Sequence, residues 1–194
     1  MLSGSLPEML IRREFMFSVD NSILILVDVQ GNLAQLMYEK EKLFNSLETL
    51  VKGMKILGVP IIWMEQIPSK LGPTLASLSE ILKEEKPIAK SSFSCCGEPR
   101  FVDQLNRLGR SQVMISGIET HICVFQTTYD LLQKGYEVQV AADCVGSRTL
   151  DNKQIGLDRI VRVGGQLTCL EMAFFELMKK AEGEAFKQVI KLLK

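Results

Sequence analysis

The sequence predicts an α/β fold organised around a mainly parallel sheet, and three observations carry that prediction. Short aliphatic runs alternate with longer stretches of helical spacing, the runs are apolar at nearly every position, and Gly and Pro punctuate the joints. A strand that is apolar throughout is buried on both faces. Helices must therefore cover the sheet above and below.

Taken in order, Ile23-Leu24-Ile25-Leu26-Val27 reads as the first strand and ends in Asp28. Lys42 to Leu57 has helical spacing. Val59-Pro60-Ile61-Ile62-Trp63-Met64 follows a glycine and carries its proline near the start, where a strand tolerates the missing N–H. Pro87-Ile88-Ala89 is a weaker third strand and Phe101 to Leu108 a helix. Gln112-Val113-Met114-Ile115-Ser116 is the fourth strand, stopping at Gly117, and Ile122 to Lys134 is helical. Gly135 is placed to end that helix and opens the alternating run through Asp143. Gly165-Gln166-Leu167-Thr168 is a short last strand, followed by helical patterns at Cys169 to Lys180 and Glu184 to Lys194. Residues 1 to about 20 show no regular period. No repeat or linker divides the chain, so residues 1–194 are expected to form one domain.

Composition narrows the function. With 46% hydrophobic and 24% charged residues, the chain is neither disordered nor collagenous. Lys+Arg and Asp+Glu both number 23, giving zero formal net charge, and no basic run occurs. A nucleic-acid partner is not expected. No apolar run approaches the roughly eighteen residues of a membrane span. The five cysteines are an odd number without a secretory segment before them, which points to a reduced, cytoplasmic compartment. Arg12-Arg13-Glu14-Phe15-Met16 resembles a twin-arginine signal, but Phe17-Ser18-Val19-Asp20-Asn21-Ser22 stands where an apolar segment would begin. Gly164-Gly165 belongs to neither phosphate-loop pattern, so no nucleotide cofactor is expected. The apolar C-terminal pattern Phe174-Phe175, Leu177-Met178, Phe186, Val189-Ile190 and Leu192-Leu193 suggests a homo-oligomer.

Ligands of an open parallel sheet bind beyond the carboxyl ends of its strands. Asp28 ends the first strand, Lys90 follows the third, and Cys123 begins the helix after the fourth. Asp28 is either a cap of the next turn or a buried carboxylate with a raised pKa. Cys123 is either a core residue or a nucleophile whose thiol pKa the helix start lowers, with the free N–H groups there cradling an oxyanion. The only histidine, His121, is two positions from Cys123 and points elsewhere, so a Cys–His dyad is not formed. A reacting Cys123 then needs an acidic base, and Asp28 is the candidate, with Lys90 as the cation between them. Zinc held by Cys95, Cys96 and His121 is disfavoured, because adjacent cysteines ligate one ion poorly and no CxxC occurs. Cys144 and Cys169 read as core residues.

Three pieces in this order, Leu26-Val27-Asp28-Val29-Gln30, Ala89-Lys90-Ser91-Ser92-Phe93-Ser94 and Ser116-Gly117-Ile118-Glu119-Thr120-His121-Ile122-Cys123-Val124, resemble the isochorismatase-like cysteine hydrolase superfamily. That group includes nicotinamidases and N-carbamoylsarcosine amidases. The likeness runs from about Ile23 to Phe175. It implies a three-layer α/β/α Rossmann-like sandwich with a six-stranded mainly parallel sheet, Cys123 as nucleophile, Asp28 as base and Lys90 as its charged partner. It also implies a cis peptide before Glu119 and an oxyanion hole formed by the backbone N–H groups of Glu119 and Cys123. Nicotinamidases hold a metal with Asp-x-His and a further His after the second strand; here Met64-Glu65-Gln66 stands instead. A metal-free enzyme without a cofactor is expected, cleaving a carbon–nitrogen bond of a small amide-type substrate through a thioester. The rival is a catalytically idle binding or scaffold protein on the same fold.

Overall fold

The computed structural model describes residues 15–194. The arginine pair of the export-like motif lies outside them. Along the chain run β1 (Ser22–Val27), α1 (Gly31–Gln35), α2 (Lys40–Leu57), β2 (Ile61–Gln66), α3 (Pro68–Leu71), α4 (Ala76–Ile81) and β3 (Ile88–Lys90). Then follow α5 (Pro99–Leu108), β4 (Gln112–Ile118), α6 (Phe125–Gln133), β5 (Glu137–Gly146), α7 (Leu150–Arg162), β6 (Gln166–Thr168), α8 (Leu170–Met178) and α9 (Gly183–Leu192). A 3-10 turn at Cys95–Gly97 and a π-type turn at Thr120–Val124 precede α5 and α6.

The six strands form one sheet in the order β3-β2-β1-β4-β5-β6, with every pair parallel. Two-sided burial of β1 is visible in its side chains. Leu24 and Leu26 join Leu47, Leu50, Met54, Phe174 and Val189 in one apolar cluster, under α2, α8 and α9. Ile23, Ile25 and Val27 join Phe101, Leu105, Leu131 and Leu157 in the other, under α5, α6 and α7. Alternate residues of one strand thus feed two cores, as a three-layer α/β/α sandwich requires.

The β1–β4 contact is close enough to demand a glycine. Gly117 has φ +108°, and a Cβ there would sit 2.1 Å from the Val27 carbonyl oxygen. Gly117→Ala is expected to lower stability by more than about 2 kcal/mol, combining left-handed strain with a backbone clash. A urea midpoint unchanged from wild type would contradict it.

Two expectations are corrected. Helix α7 is absent from the helices read out of the sequence, because only Gly156, Leu157 and Ile160 of its thirteen residues are buried while Ile155 and Val161 face outward. Its apolar stripe is too sparse to show a period. Of the C-terminal apolar residues expected to remain uncovered, Phe174, Leu177 and Val189 are buried inside the chain, Phe175 is exposed and the rest are half-buried. Some of the exposed apolar side chains lie at the β6 edge, where Met16, Leu167 and Met172 line a cleft of about 560 Å³ and Phe175 lies on the same helix as Met172. No helix among the described residues is long and apolar enough to cross a membrane.

Candidate active site

Strands β2 and β3 lie on one side of β1, and β4, β5 and β6 on the other. The crevice beyond the carboxyl ends of β1 and β4 is therefore the switch point of the sheet, where such folds place their ligands. Asp28 is the residue after β1 and adopts the left-handed region, φ 52°, which Asp and Asn enter more readily than branched residues. Lys90 is the last residue of β3. Cys123 lies in the π-type turn that links β4 to α6. Helix α7 comes so close to this turn that a Cβ on Gly156 would lie 2.8 Å from the His121 nitrogen, so glycine is required there too.

The structure brings these three residues together. Lys90 Nζ donates to Asp28 Oδ2 at 2.7 Å, with both side chains buried. It also donates to Gln66 Oε1 and is within 3.1 Å of the Ser92 and Phe93 carbonyl oxygens. Asp28 Oδ1 is buried and makes no hydrogen bond of regular geometry. The Cys123 thiol lies beside the carboxyl and interacts with both Asp28 and Lys90.

Burial raises the Asp28 carboxyl above its usual range, opposed by the Lys90 charge and its hydrogen bond. Burial first, and then the Asp28 charge, push the Cys123 thiol up to about 12, again against Lys90. This corrects the expected low thiol pKa. Desolvation and an adjacent carboxylate outweigh the helix start, so the thiol is pushed toward its protonated form rather than toward the thiolate.

Around this core lies a polar scaffold for which sequence reasoning proposed no role. Gln66 donates from Nε2 to Ser91 O at 2.8 Å, which orients Oε1 toward Lys90. Its backbone N–H donates to Gln30 Oε1 at 2.6 Å, and Gln30 Nε2 donates to Gly72 O at 2.8 Å. Both glutamines stood in the quoted sequence pieces, but hydrogen bonds between residues 36 apart leave no local signal. Glu65 turns to the loop after α3, accepting from Thr74 N and Oγ1, both at 2.8 Å. Glu119 Oε2 accepts from Arg148 N at 3.1 Å and Nε at 3.2 Å. His121 Nδ1 is 3.0 Å from Ser147 Oγ. The Ile118–Glu119 peptide is cis, as the resemblance implies, and Glu119 and Cys123 both belong to the turn it begins.

All five cysteines are free. Cys144 is buried as expected, but Cys169 is not a core residue: it is partly exposed and its sulfur accepts from Met172 N at 3.5 Å, capping α8. Among the described residues no group of three His, Cys, Asp or Glu side chains converges to hold a metal ion.

The isochorismatase domain matches residues 22–172, a span that contains all three site residues. The chain belongs to the isochorismatase family. It is 36% identical over 179 residues to the secreted isochorismatase effector Isc1 of Phytophthora sojae, covering 90% of this chain and 85% of that protein. Among solved structures it resembles the MAR1 ribonuclease from Caenorhabditis elegans, with TM-score 0.86, 34% identity and 92% of each chain covered. The Escherichia coli YcaC gene product, described as an octameric hydrolase of unknown specificity, shares the fold at TM-score 0.88 and 21% identity, over 93% of this chain and 91% of that one.

Proposed function

We propose that this isochorismatase-family protein is a cysteine-dependent hydrolase that cleaves a carbon–nitrogen bond of a small amide. The observation that supports it most is the buried Lys90–Asp28 pair at 2.7 Å with the Cys123 thiol beside its carboxyl. A buried ion pair is a poor device for stability, since apolar side chains of similar volume usually do as well. Its retention at the switch point is better explained by proton transfer.

Asp28 Oδ1 takes the thiol proton as Cys123 Sγ attacks the substrate carbonyl, so the thiolate forms only as it reacts. Lys90, held by its other acceptors, stabilises the carboxylate at the start and the developing negative charge near sulfur. The N–H groups of Glu119 and Cys123 receive the oxyanion, a contribution of roughly 3 kcal/mol. The proton on Asp28 then passes to the departing amine. A water activated by the same carboxylate releases the acid from the thioester. A screen of small amides, quenched in acid and read by peptide mass mapping, is expected to find an acyl group on Cys123. An idle binding protein would show reversible binding without acylation.

The same reading needs no metal, because Glu65 is tied to Thr74 and Gln66 to Lys90 where metal-holding relatives carry ligands. Dialysis against EDTA is expected to leave turnover unchanged; loss that zinc or another divalent ion restores would refute it. The electrostatics of this chain do not favour a polyanionic RNA substrate. Its net charge is zero, and the one lysine of the site is already surrounded by four acceptors.

We also propose a single domain, a reduced cytoplasmic setting supported by five free thiols, and self-association through the apolar β6 edge. Sedimentation is expected to show an oligomer at micromolar concentration, and Met172→Glu to weaken it. A monomer in both would exclude the interface.

A further inference from the structure

The cleft at the β6 edge carries polar groups that the mechanism above does not use. Its volume of about 560 Å³ falls within the roughly 300–1,000 Å³ of small-molecule sites. Met16, Leu167 and Met172 give it apolar walls, and Gln139 and Glu176 line it as well. Among the described residues no lysine or arginine lines it. In the sheet, β5 separates this edge from β4 and the switch point.

Gln139, on β5, and Glu176, on α8, are held against each other with one acceptor of each left over. Gln139 is 4% exposed, and its Nε2 donates to Glu176 Oε1 at 3.1 Å. The same carboxylate oxygen accepts from Phe17 N. With Nε2 committed to the carboxylate, Gln139 Oε1 is left without a donor. Flipping the amide brings no relief, because it would set an oxygen against the carboxylate. Glu176 Oε2 accepts no hydrogen bond among the described residues, and no cation pairs with the carboxylate there. Two neighbouring oxygens, one neutral and one charged, therefore lack donors beside apolar walls. Native proteins leave few buried oxygens in that condition.

We propose that this cleft is a second, non-catalytic binding site for a primary ammonium carried on an apolar body. An ammonium has three donors and no acceptor, so one group serves both oxygens and balances the carboxylate charge. A hydroxyl has a single donor and leaves that charge unpaired, and an anion is repelled by it. The apolar body of the ligand lies along Leu167 and Met172, where the flexible thioether adapts to its shape. Neither Cys123 nor Asp28 takes part, so the inference stands apart from the hydrolase reading.

The test is calorimetric titration of the full chain with 2-phenylethylammonium and, as its anionic counterpart, 3-phenylpropanoate. The ammonium is expected to bind once per chain and the carboxylate not at all. Glu176→Gln keeps an oxygen for Phe17 N and Gln139 Nε2 but removes the charge, and is expected to weaken ammonium binding at least about tenfold. Met172 is 60% exposed, so charged replacements there leave the fold intact and decide the matter even where Glu176→Gln does not fold. Met172→Lys and Met172→Glu disturb the apolar edge, and with it the proposed contact between copies, to the same degree. Only the lysine is expected to weaken ammonium binding, again at least about tenfold, while the glutamate retains or tightens it. No binding to the wild type, unchanged affinity in folded Glu176→Gln, or equal loss in the two Met172 variants overturns the proposal.

Discussion

Cys123→Ala is expected to reduce amide hydrolysis by at least about a thousandfold while the protein stays folded. Loss of a covalent nucleophile leaves only binding and the oxyanion hole, a small remnant of the full rate. The structural cost is small, because alanine keeps the Cβ and only one buried sulfur is lost from the cluster. Initial rates together with a urea melt check both halves. Activity within tenfold of wild type would eliminate Cys123 as the nucleophile, and an unfolded variant would be evident from the melt. Cys123→Ser then supplies a second, folded comparison.

Lys90→Met is expected to cost about 10²–10⁴-fold near neutral pH, the usual value of a general base, and to do so through Asp28. Burial already raises the Asp28 carboxyl, and Lys90 is what opposes it. Without the ammonium the carboxyl rises further, becomes protonated at neutral pH, and cannot accept the thiol proton. The acid limb of the kcat/KM profile therefore moves to higher pH, and raising the pH recovers part of the rate. Stability moves the other way. The folded state holds this proton more tightly than the unfolded chain does, so stability is greatest below the unfolded carboxyl value and declines as pH rises through the folded one. An unshifted acid limb would show that Lys90 does not act through Asp28.

Strand positions were legible because parallel strands buried on both faces leave continuous aliphatic runs, as at Ile23–Val27 and Gln112–Ser116. Strand β5 continues past Asp143 through Cys144 and Val145 to Gly146, beyond the charged residue at which the alternating run ends. Asp28, Lys90 and Cys123 could be nominated because each is a reactive residue at an apolar run's end. Their proton balance could not. It depends on burial and on the Asp28 charge, which reverse the direction expected at Cys123 from a helix start alone, and on Lys90, brought to Asp28 from 62 residues away, which opposes them. The same holds for Gln66 and Gln30, whose polar side chains gain a role only once β1 and β2 are paired.

Lys90 is carried by one of the two short edge strands of the sheet. Strand β3 has three residues, lies at an edge, and is bonded along one side only, to β2. Edge elements of this kind open in local fluctuations whose free energy lies well below that of global unfolding. The Nζ contacts to Asp28 and Gln66 tether that edge from its tip, so the charge pair to which we assign proton transfer also acts as a latch on the margin of the sheet. On the proposed mechanism, catalytic competence and native-state protection of β3 are therefore two readouts of one cooperative unit: weakening the latch is expected to loosen the edge, and fraying the edge to disarm the site while the central strands are still intact.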